Sequence, residues 1–373
     1  MIRSPAGFDG GDRIKRYLDY YQPSYGVMML SAGQAFTPAS LFAAGEQGAW
    51  YDPSDFSTMF QDNLGATPVT AVEQTVGRIL DKSGRGNHAT QATLANRPTL
   101  SARVNQLLAT ATLSTQSVTT LAATYTLAFS GAGTVTTSGT NIGVYTAGSN
   151  SLVCTAGTLT LTVVGSVTLA DLRVTNDGVG LPAYQAVVTS TDYDTSGFPL
   201  YLRFDGSNDG LVTASINFSA TDKMSVFAGM RKLSDVAQAA FIELSVTSAS
   251  GTFTVFAPNV AAPNGDIVFR SRGTASSNAI AANVAPSTVV MSGLSSISTD
   301  ISSIRLNGVL IQQNTTDQGI SNFTNNPLYI GRRGGASLPY NGRLYSLIVR
   351  GAQSTATEIA NTETWVNGKT LAY

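Results

Sequence analysis

Apolar and hydroxylated residues alternate with a period of two over long stretches of the chain. The run Thr124-Tyr-Thr-Leu-Ala-Phe-Ser-Gly-Ala-Gly-Thr-Val-Thr-Thr-Ser-Gly shows it, and Ala156-Gly-Thr-Leu-Thr-Leu-Thr-Val-Val-Gly-Ser-Val-Thr-Leu-Ala-Asp-Leu172 repeats it. Alternate residues of a strand share a face, so the pattern predicts half-buried strands. Further strands are predicted over Met224–Met230, Ala240–Val246, Thr252–Ala257, Asp266–Arg270, Thr288–Ser292, Ile301–Leu306 and Val309–Gln312. Asn307-Gly308 between the last two is a hairpin turn signal. Near the end, Leu328 and Ile330 mark one strand, and Leu344, Leu347 and Val349 another. A Gly- and Arg-rich loop joins them, and Asn341-Gly342 is expected to form a tight turn there.

Helical periodicity is confined to the two ends. Asp12 is a candidate N-cap, and Ile14, Tyr17, Leu18 and Tyr21 lie on one helical stripe before Pro23. Thr37 and Pro38 signal a second short helix, over 39–45. Thr355 and Glu358 have capping-box spacing, and Ile359, Thr362 and Val366 form a stripe that Asn367-Gly368 ends. Trp365 is expected to hold this helix on the β-structure.

Composition narrows the function classes. Of 373 residues only 12% are charged, and the net charge is -1. An ordinary soluble domain has about 25% charged residues. Exposed strand faces are therefore carried by Thr, Ser and Asn, which suits an extracellular or virion β-protein. With no basic excess, no nucleic-acid partner is expected. No apolar run is long enough for a membrane helix. The first residues lack a signal-peptide apolar region, so if the protein works outside a cell, release by lysis as part of a particle is expected rather than secretion. The single cysteine, Cys154, cannot form an intramolecular disulfide and reads as a buried strand residue.

Three resemblances organise the chain. Pro199-Leu-Tyr-Leu-Arg-Phe-Asp-Gly-Ser-Asn-Asp-Gly-Leu-Val212 and the stretch 327–350 resemble the opening and closing strands of a laminin-G/concanavalin-like jelly roll. Leu41–Asp55 and Leu80–Ala89 are similar to a two-part motif of tailed-phage virion proteins, Leu-Phe-Ala-x-Gly-Glu-Gln-Gly-x-Trp-Tyr-Asp-Pro-Ser-Asp followed by Leu-Asp-Lys-Ser-Gly-x-Gly-Asn-His-Ala. The weakly charged stretch 105–182 is similar to carbohydrate-binding modules of phage fibre proteins. The expected fold is mainly β. An N-terminal docking arm occupies 1–49, a jelly roll 50–104 and 183–373, and a small inserted β-sandwich 105–182.

Candidate chemistry is sparse. His88 is the only histidine, which excludes a multi-histidine metal site. It sits in a turn motif and reads as a hydrogen-bonded loop residue. Jelly-roll glycosidases need two carboxylates about 5–10 Å apart. Glu243 is the one glutamate on a probable jelly-roll strand, and it reads as facing solvent or an arginine. Asp205, Asn208 and Asp209 form an oxygen-rich turn that fits either a β-turn or the rim calcium site that the laminin-G resemblance implies. Arg332, Arg333, Tyr340 and Arg343 form a candidate glycan site, with solvation, intramolecular pairs or a neighbouring subunit as the other readings. Tyr17, Tyr20, Tyr21, Tyr25, Met28 and Met29 crowd a segment with little core of its own. They are expected either to dock on a larger assembly or to cover their own jelly roll.

The resemblances imply a non-enzymatic structural component of a tailed-phage virion, located in a head fibre, decoration or tail-fibre-like appendage. Its partners would be other virion proteins, further copies of itself (a trimer being one arrangement) and a host surface glycan. Two alternatives remain open, a virion-associated glycan-degrading enzyme and a purely stabilising capsid cement.

Overall fold

The computed structural model describes residues 35–175, 177–178, 180–260 and 265–373. The helix expected over 14–21 and the six docking residues between Tyr17 and Met29 lie outside them. Phe36–Tyr373 forms one compact unit. The architecture is mainly β, with two large antiparallel sheets, an inserted third sheet and one C-terminal α-helix.

The first large sheet has eight strands. Its order is Val309–Asn314, Ile301–Leu306, Val289–Ser296, Lys223–Lys232, Asn341–Arg350, Tyr201–Asp205 and Thr99–Ser101, with Gly48–Tyr51 also paired to Asn341–Arg350. The second has nine. It runs Ser276–Ala281, Ile267–Arg272, Thr252–Phe256, Ala240–Leu244, Asn325–Ile330, Leu211–Asn217, Ala89–Thr90, Arg78–Ile79 and Met59–Phe60. The main core includes residues of both sheets, among them Val226, Ala228, Met230, Leu344, Leu347 and Val349 from the first and Phe241, Ile242, Phe253 and Phe269 from the second.

Strands Lys223–Lys232 and Asn341–Arg350 are buried on both faces. Their alternate residues Phe227 and Ile348 point away from the main core into a second cluster with Leu41, Phe42, Trp50, Val290 and Val366. The C-terminal helix Ala356–Thr370 covers that face. It opens on the expected capping box, with both the Thr355 and the Glu358 side-chain bonds formed. Trp365 meets Trp50 edge to face at 5.4 Å.

Two expectations are corrected here. Asn341-Gly342 is no turn, because Asn341 already begins a strand in which Gly342 sits opposite Phe204 and Lys232. The turning residues lie upstream, where Gly331, Gly334, Gly335 and Leu338 have positive φ. Glycine at 342 answers a close approach instead: a Cβ there would sit 2.2 Å from the Tyr340 ring and 2.4 Å from the Arg231 carbonyl oxygen. The docking-arm boundary at 49 also moves. Pro38–Phe42 forms a 3-10 turn whose Leu41 and Phe42 are buried, and Gly48–Tyr51 is a sheet strand. Residues 36–49 thus belong to the jelly roll. Asn307-Gly308 does form the expected hairpin, with both residues at positive φ.

The insert contains Gln116–Thr120, Ala123–Gly139, Gly143–Cys154, Gly157–Val164 and Thr168–Val174. A register shift between Phe129 and Thr134 divides the long strand Ala123–Gly139. Its first half pairs with Thr168–Val174 and its second with Gly157–Val164. The sheet closes on its own core of Tyr125, Leu127, Phe129, Val135, Leu152, Leu159, Leu161 and Leu172. Cys154 is buried in that core, as its place on a strand implied.

Two fully buried amides bind the insert to the jelly roll. Gln185 Oε1 accepts the backbone N–H groups of Val104 (2.8 Å) and Asn105 (3.0 Å). Its Nε2 donates to the carbonyls of Ala102 (3.0 Å) and Asp194 (2.8 Å). Asn105 Nδ2 donates to Ala170 and Gln185, and its Oδ1 accepts from Leu107 and Leu172. The chain segments into and out of the insert are thereby cross-tied.

Two outcomes follow for equilibrium urea unfolding. Gln185→Ala leaves several buried backbone groups without partners and is expected to cost about 3 kcal/mol. Gly342→Ala forces Tyr340 and the neighbouring strand apart and is expected to cost about 2 kcal/mol, although alanine is ordinarily welcome in an extended backbone.

Candidate functional site

The two parts of the phage-like motif meet in space. The Asp81 carboxylate accepts the backbone N–H groups of Trp50 (2.9 Å), Ser83 (2.8 Å) and Asn87 (2.9 Å). Asn87 Nδ2 donates to the Gly48 carbonyl at 2.7 Å, and Arg85 donates to that of Phe42. Lys82 pairs with Asp55 at 2.6 Å, and Lys369 of the C-terminal helix pairs with Asp52 at 3.0 Å. This knot fastens residues 42–55 to the Gly-rich loop. His88 belongs to it: its Nδ1 accepts the Asp81 N–H at 3.0 Å, so the ring is held as a neutral acceptor. Burial, followed by the charge of Arg78, lowers its pKa from the ordinary imidazole value.

The four residues of the expected glycan site have separate places. Tyr340 is fully buried, with its hydroxyl donating to the Arg231 carbonyl at 2.7 Å and its ring against Phe241. It cannot face a sugar, and its assignment is corrected to the core. Arg333 makes a two-pronged pair with Glu243, at 2.7 and 3.0 Å, and its guanidinium lies over Phe256. Glu243 is itself fully buried and accepts a further bond from Thr254, so of its two expected settings the arginine is the one found. Arg332 donates to the Asn208 carbonyl at 2.7 Å. Arg343 stacks over Tyr201 at 4.5 Å and pairs with Asp177 at 3.3 Å. Arg231, also buried, shares Asp177. Burial and the nearby Arg343 push the Arg231 pKa down to about 9, which leaves it charged at neutral pH.

Asp205, Asn208 and Asp209 do come together as one turn. Asp205 Oδ1 accepts the N–H groups of Ser207 (2.8 Å) and Asn208 (3.2 Å), and Asp209 Oδ2 accepts that of Asp205 (3.0 Å). These are the bonds by which aspartates build turns. Among the described residues no group of three or more His, Cys, Asp or Glu side chains is placed to hold a metal ion. Burial, and then the negative charge of Asp205, push the Asp209 carboxyl up to about 7.

One concavity was not singled out in the sequence. It is a cleft of about 360 Å³ between the jelly roll and the insert. Arg103, Gln106, Tyr201 and Arg203 line it along with Arg343, and Ser117 and Thr119 stand on the insert side. Arg203 pairs with Glu73 at 3.1 Å. Arg103 instead donates to three carbonyls, those of Asn105 (2.9 Å), Gln106 (2.9 Å) and Leu107 (3.2 Å). The available signal was positional: Arg103 and Gln106 flank the expected insertion boundary, and ligand clefts favour domain junctions.

No protein-family model matches the chain, and no curated protein matches it. Among solved structures, the botulinum neurotoxin type G receptor-binding domain is 12% identical over 45% of this chain and 42% of that one, with a TM-score of 0.35. The botulinum neurotoxin serotype D binding domain is 10% identical over 44% of this chain and 42% of that one, at a TM-score of 0.36. A structure of botulinum neurotoxin type C, whose cell entry depends on interaction with two ganglioside molecules, is 12% identical over 45% of this chain and 43% of that one, also at 0.36. The chain thus spans less than half the length of these structures, and similarity this low carries no functional argument.

The Asp209 environment predicts a pH effect. A free aspartate titrates near about 3.9, whereas the folded-state value is raised to about 7. Stabilisation from the neutral carboxyl is full below the unfolded value and is lost as pH rises through the folded one. In urea unfolding, Asp209→Asn should therefore gain on the unmodified protein from about pH 4 up to about 7. A carboxyl titration in carbon NMR should show the raised midpoint, and an ordinary midpoint would refute the assignment.

Proposed function

We propose that this chain is a non-enzymatic structural component of a tailed-phage particle, held there by its first 35 residues and displaying two β-domains that bind a host glycan. The knot around Asp81 carries this reading. It joins the two halves of the phage-like motif and fastens the chain just after those residues. A displayed domain tethered by an arm has to bear load at the arm's root. A carboxylate clamped by three backbone N–H groups, backed by two lysine pairs, provides such a root.

The adhesive part rests on the open cleft between the domains, where Arg103, Arg203, Arg343, Ser117 and Thr119 stand among apolar side chains. Many copies on one particle convert weak single-site binding into avidity. Glu243, the strand carboxylate available to a glycosidase reading, is buried beneath Arg333 and has both oxygens engaged. That placement favours binding over cleavage.

The test uses the full chain with Tyr17, Tyr20, Tyr21, Tyr25, Met28 and Met29 changed together to serine. The unmodified protein is expected in purified particles from a producing host, and the variant is expected to be lost from them while unfolding at the same temperature. Host polysaccharide incubated with pure protein should keep its viscosity. Absence of the unmodified protein from particles would refute the virion reading, and a fall in viscosity would favour the enzyme.

A further inference from the structure

The cleft between the domains has an unbalanced wall. Arg203 and Arg343 each have a carboxylate partner, Glu73 and Asp177. Among the described residues Arg103 has none. Its Nε and Nη2 donate to backbone carbonyls, and among the described residues its Nη1 has no acceptor. Arginine stays charged in proteins, and a partly buried charge normally finds a counter-charge. Beside it, Gln106 Oε1 is buried with no hydrogen-bond partner among the described residues. Buried acceptors are seldom left unpaired, so an orphan one in a cleft wall marks a place for a donor. The wall therefore presents a spare cationic donor and a spare neutral acceptor together.

Few ligand classes satisfy both. A simple anion answers Arg103 and leaves Gln106 unpaired. A neutral sugar answers Gln106 and leaves the charge unbalanced. A sugar bearing a carboxylate supplies an anion and hydroxyl donors on one ring. Ser117 and Thr119 add exposed hydroxyls on the opposite wall. The volume of about 360 Å³ lies at the low end of small-ligand sites, roughly 300–1,000 Å³, and suits a short oligosaccharide rather than a long buried one.

We infer that this cleft binds an acidic sugar residue, with its carboxylate on Arg103 and one of its hydroxyls donating to Gln106 Oε1. The inference rests on the glycan-binding reading above and narrows it to a site and a ligand class. The negative charge of the ligand also means that binding weakens as salt rises.

The experiment is calorimetric titration of the full chain with oligogalacturonate and with sialyllactose, each beside its own methyl ester. These pairs differ in the carboxylate. At least one acid is expected to bind about tenfold or more tightly than its neutral partner, the size of one charge-assisted hydrogen bond. Thr119→Trp, an exposed change that fills the cleft, should abolish that binding, and Arg103→Gln should weaken it about tenfold. Unchanged melting temperatures would separate these effects from misfolding. Equal binding of acid and neutral forms overturns the acidic class and leaves glycan binding standing. Acid binding that survives Thr119→Trp overturns the site. Failure of every saccharide to bind, acidic or neutral, overturns this inference together with the glycan reading.

Discussion

The amide clasp of Gln185 and Asn105 governs the rest of the molecule. The insert leaves the jelly roll after Val104 and returns before Gln185, so two chain crossings connect the domains. Two crossings alone leave a hinge. The Gln185 side chain bonds four backbone groups across them, and Asn105 bonds four more. A fully satisfied buried polar network is directional in a way that apolar contact is not, so it fixes orientation as well as proximity. The cleft exists because the domains are held at that angle.

Charge is scarce in this chain, at 12% of residues, and much of it works inside. Asp177 sits between Arg231 and Arg343, Glu243 lies under Arg333, and Glu363 of the C-terminal helix holds Arg305. Buried pairs of this kind are weak sources of net stability but strongly destabilising when half is removed. They specify which strands lie together. Of the arginines that looked available for a ligand, Arg333 and Arg343 are claimed by such carboxylates and Arg332 by the Asn208 carbonyl. In the cleft wall Arg103 differs from Arg203 and Arg343 in having no carboxylate partner among the described residues.

The same logic gives the phage-like motif a physical meaning. Its Asp81, Ser83, Asn87 and His88 form a loop that clamps the strand bearing Trp50. Trp50 then supports Trp365 and the C-terminal helix. The two parts of the motif, far apart in sequence order, are thus tied to each other and to the C-terminal helix.

The mainly β fold, most of the longer jelly-roll strands, the Asn307-Gly308 hairpin and the capped C-terminal helix were legible in the chain itself, whereas Ser276–Ala281 and the short strands Met59–Phe60, Arg78–Ile79, Ala89–Thr90 and Thr99–Ser101 were not. Period-two alternation, turn residues and capping spacing are local, and local signals survive without knowledge of neighbours. Strands buried on both faces blurred the pattern, as in Lys223–Lys232, but their apolar content still marked them. The Asn341-Gly342 misreading shows the limit: the dipeptide suits a turn, yet Gly342 is set by the Tyr340 ring and the Arg231 carbonyl, both placed by tertiary packing. Which arginine is paired, which amide clasps two crossings and where a cleft opens depend on residues far apart in sequence, such as Arg103 and Arg343 or Val104 and Gln185. Those relations are set by sheet packing and orientation. The sequence by itself determined the elements and their faces, and the tertiary structure alone decided which charges and acceptors were left free to meet a ligand.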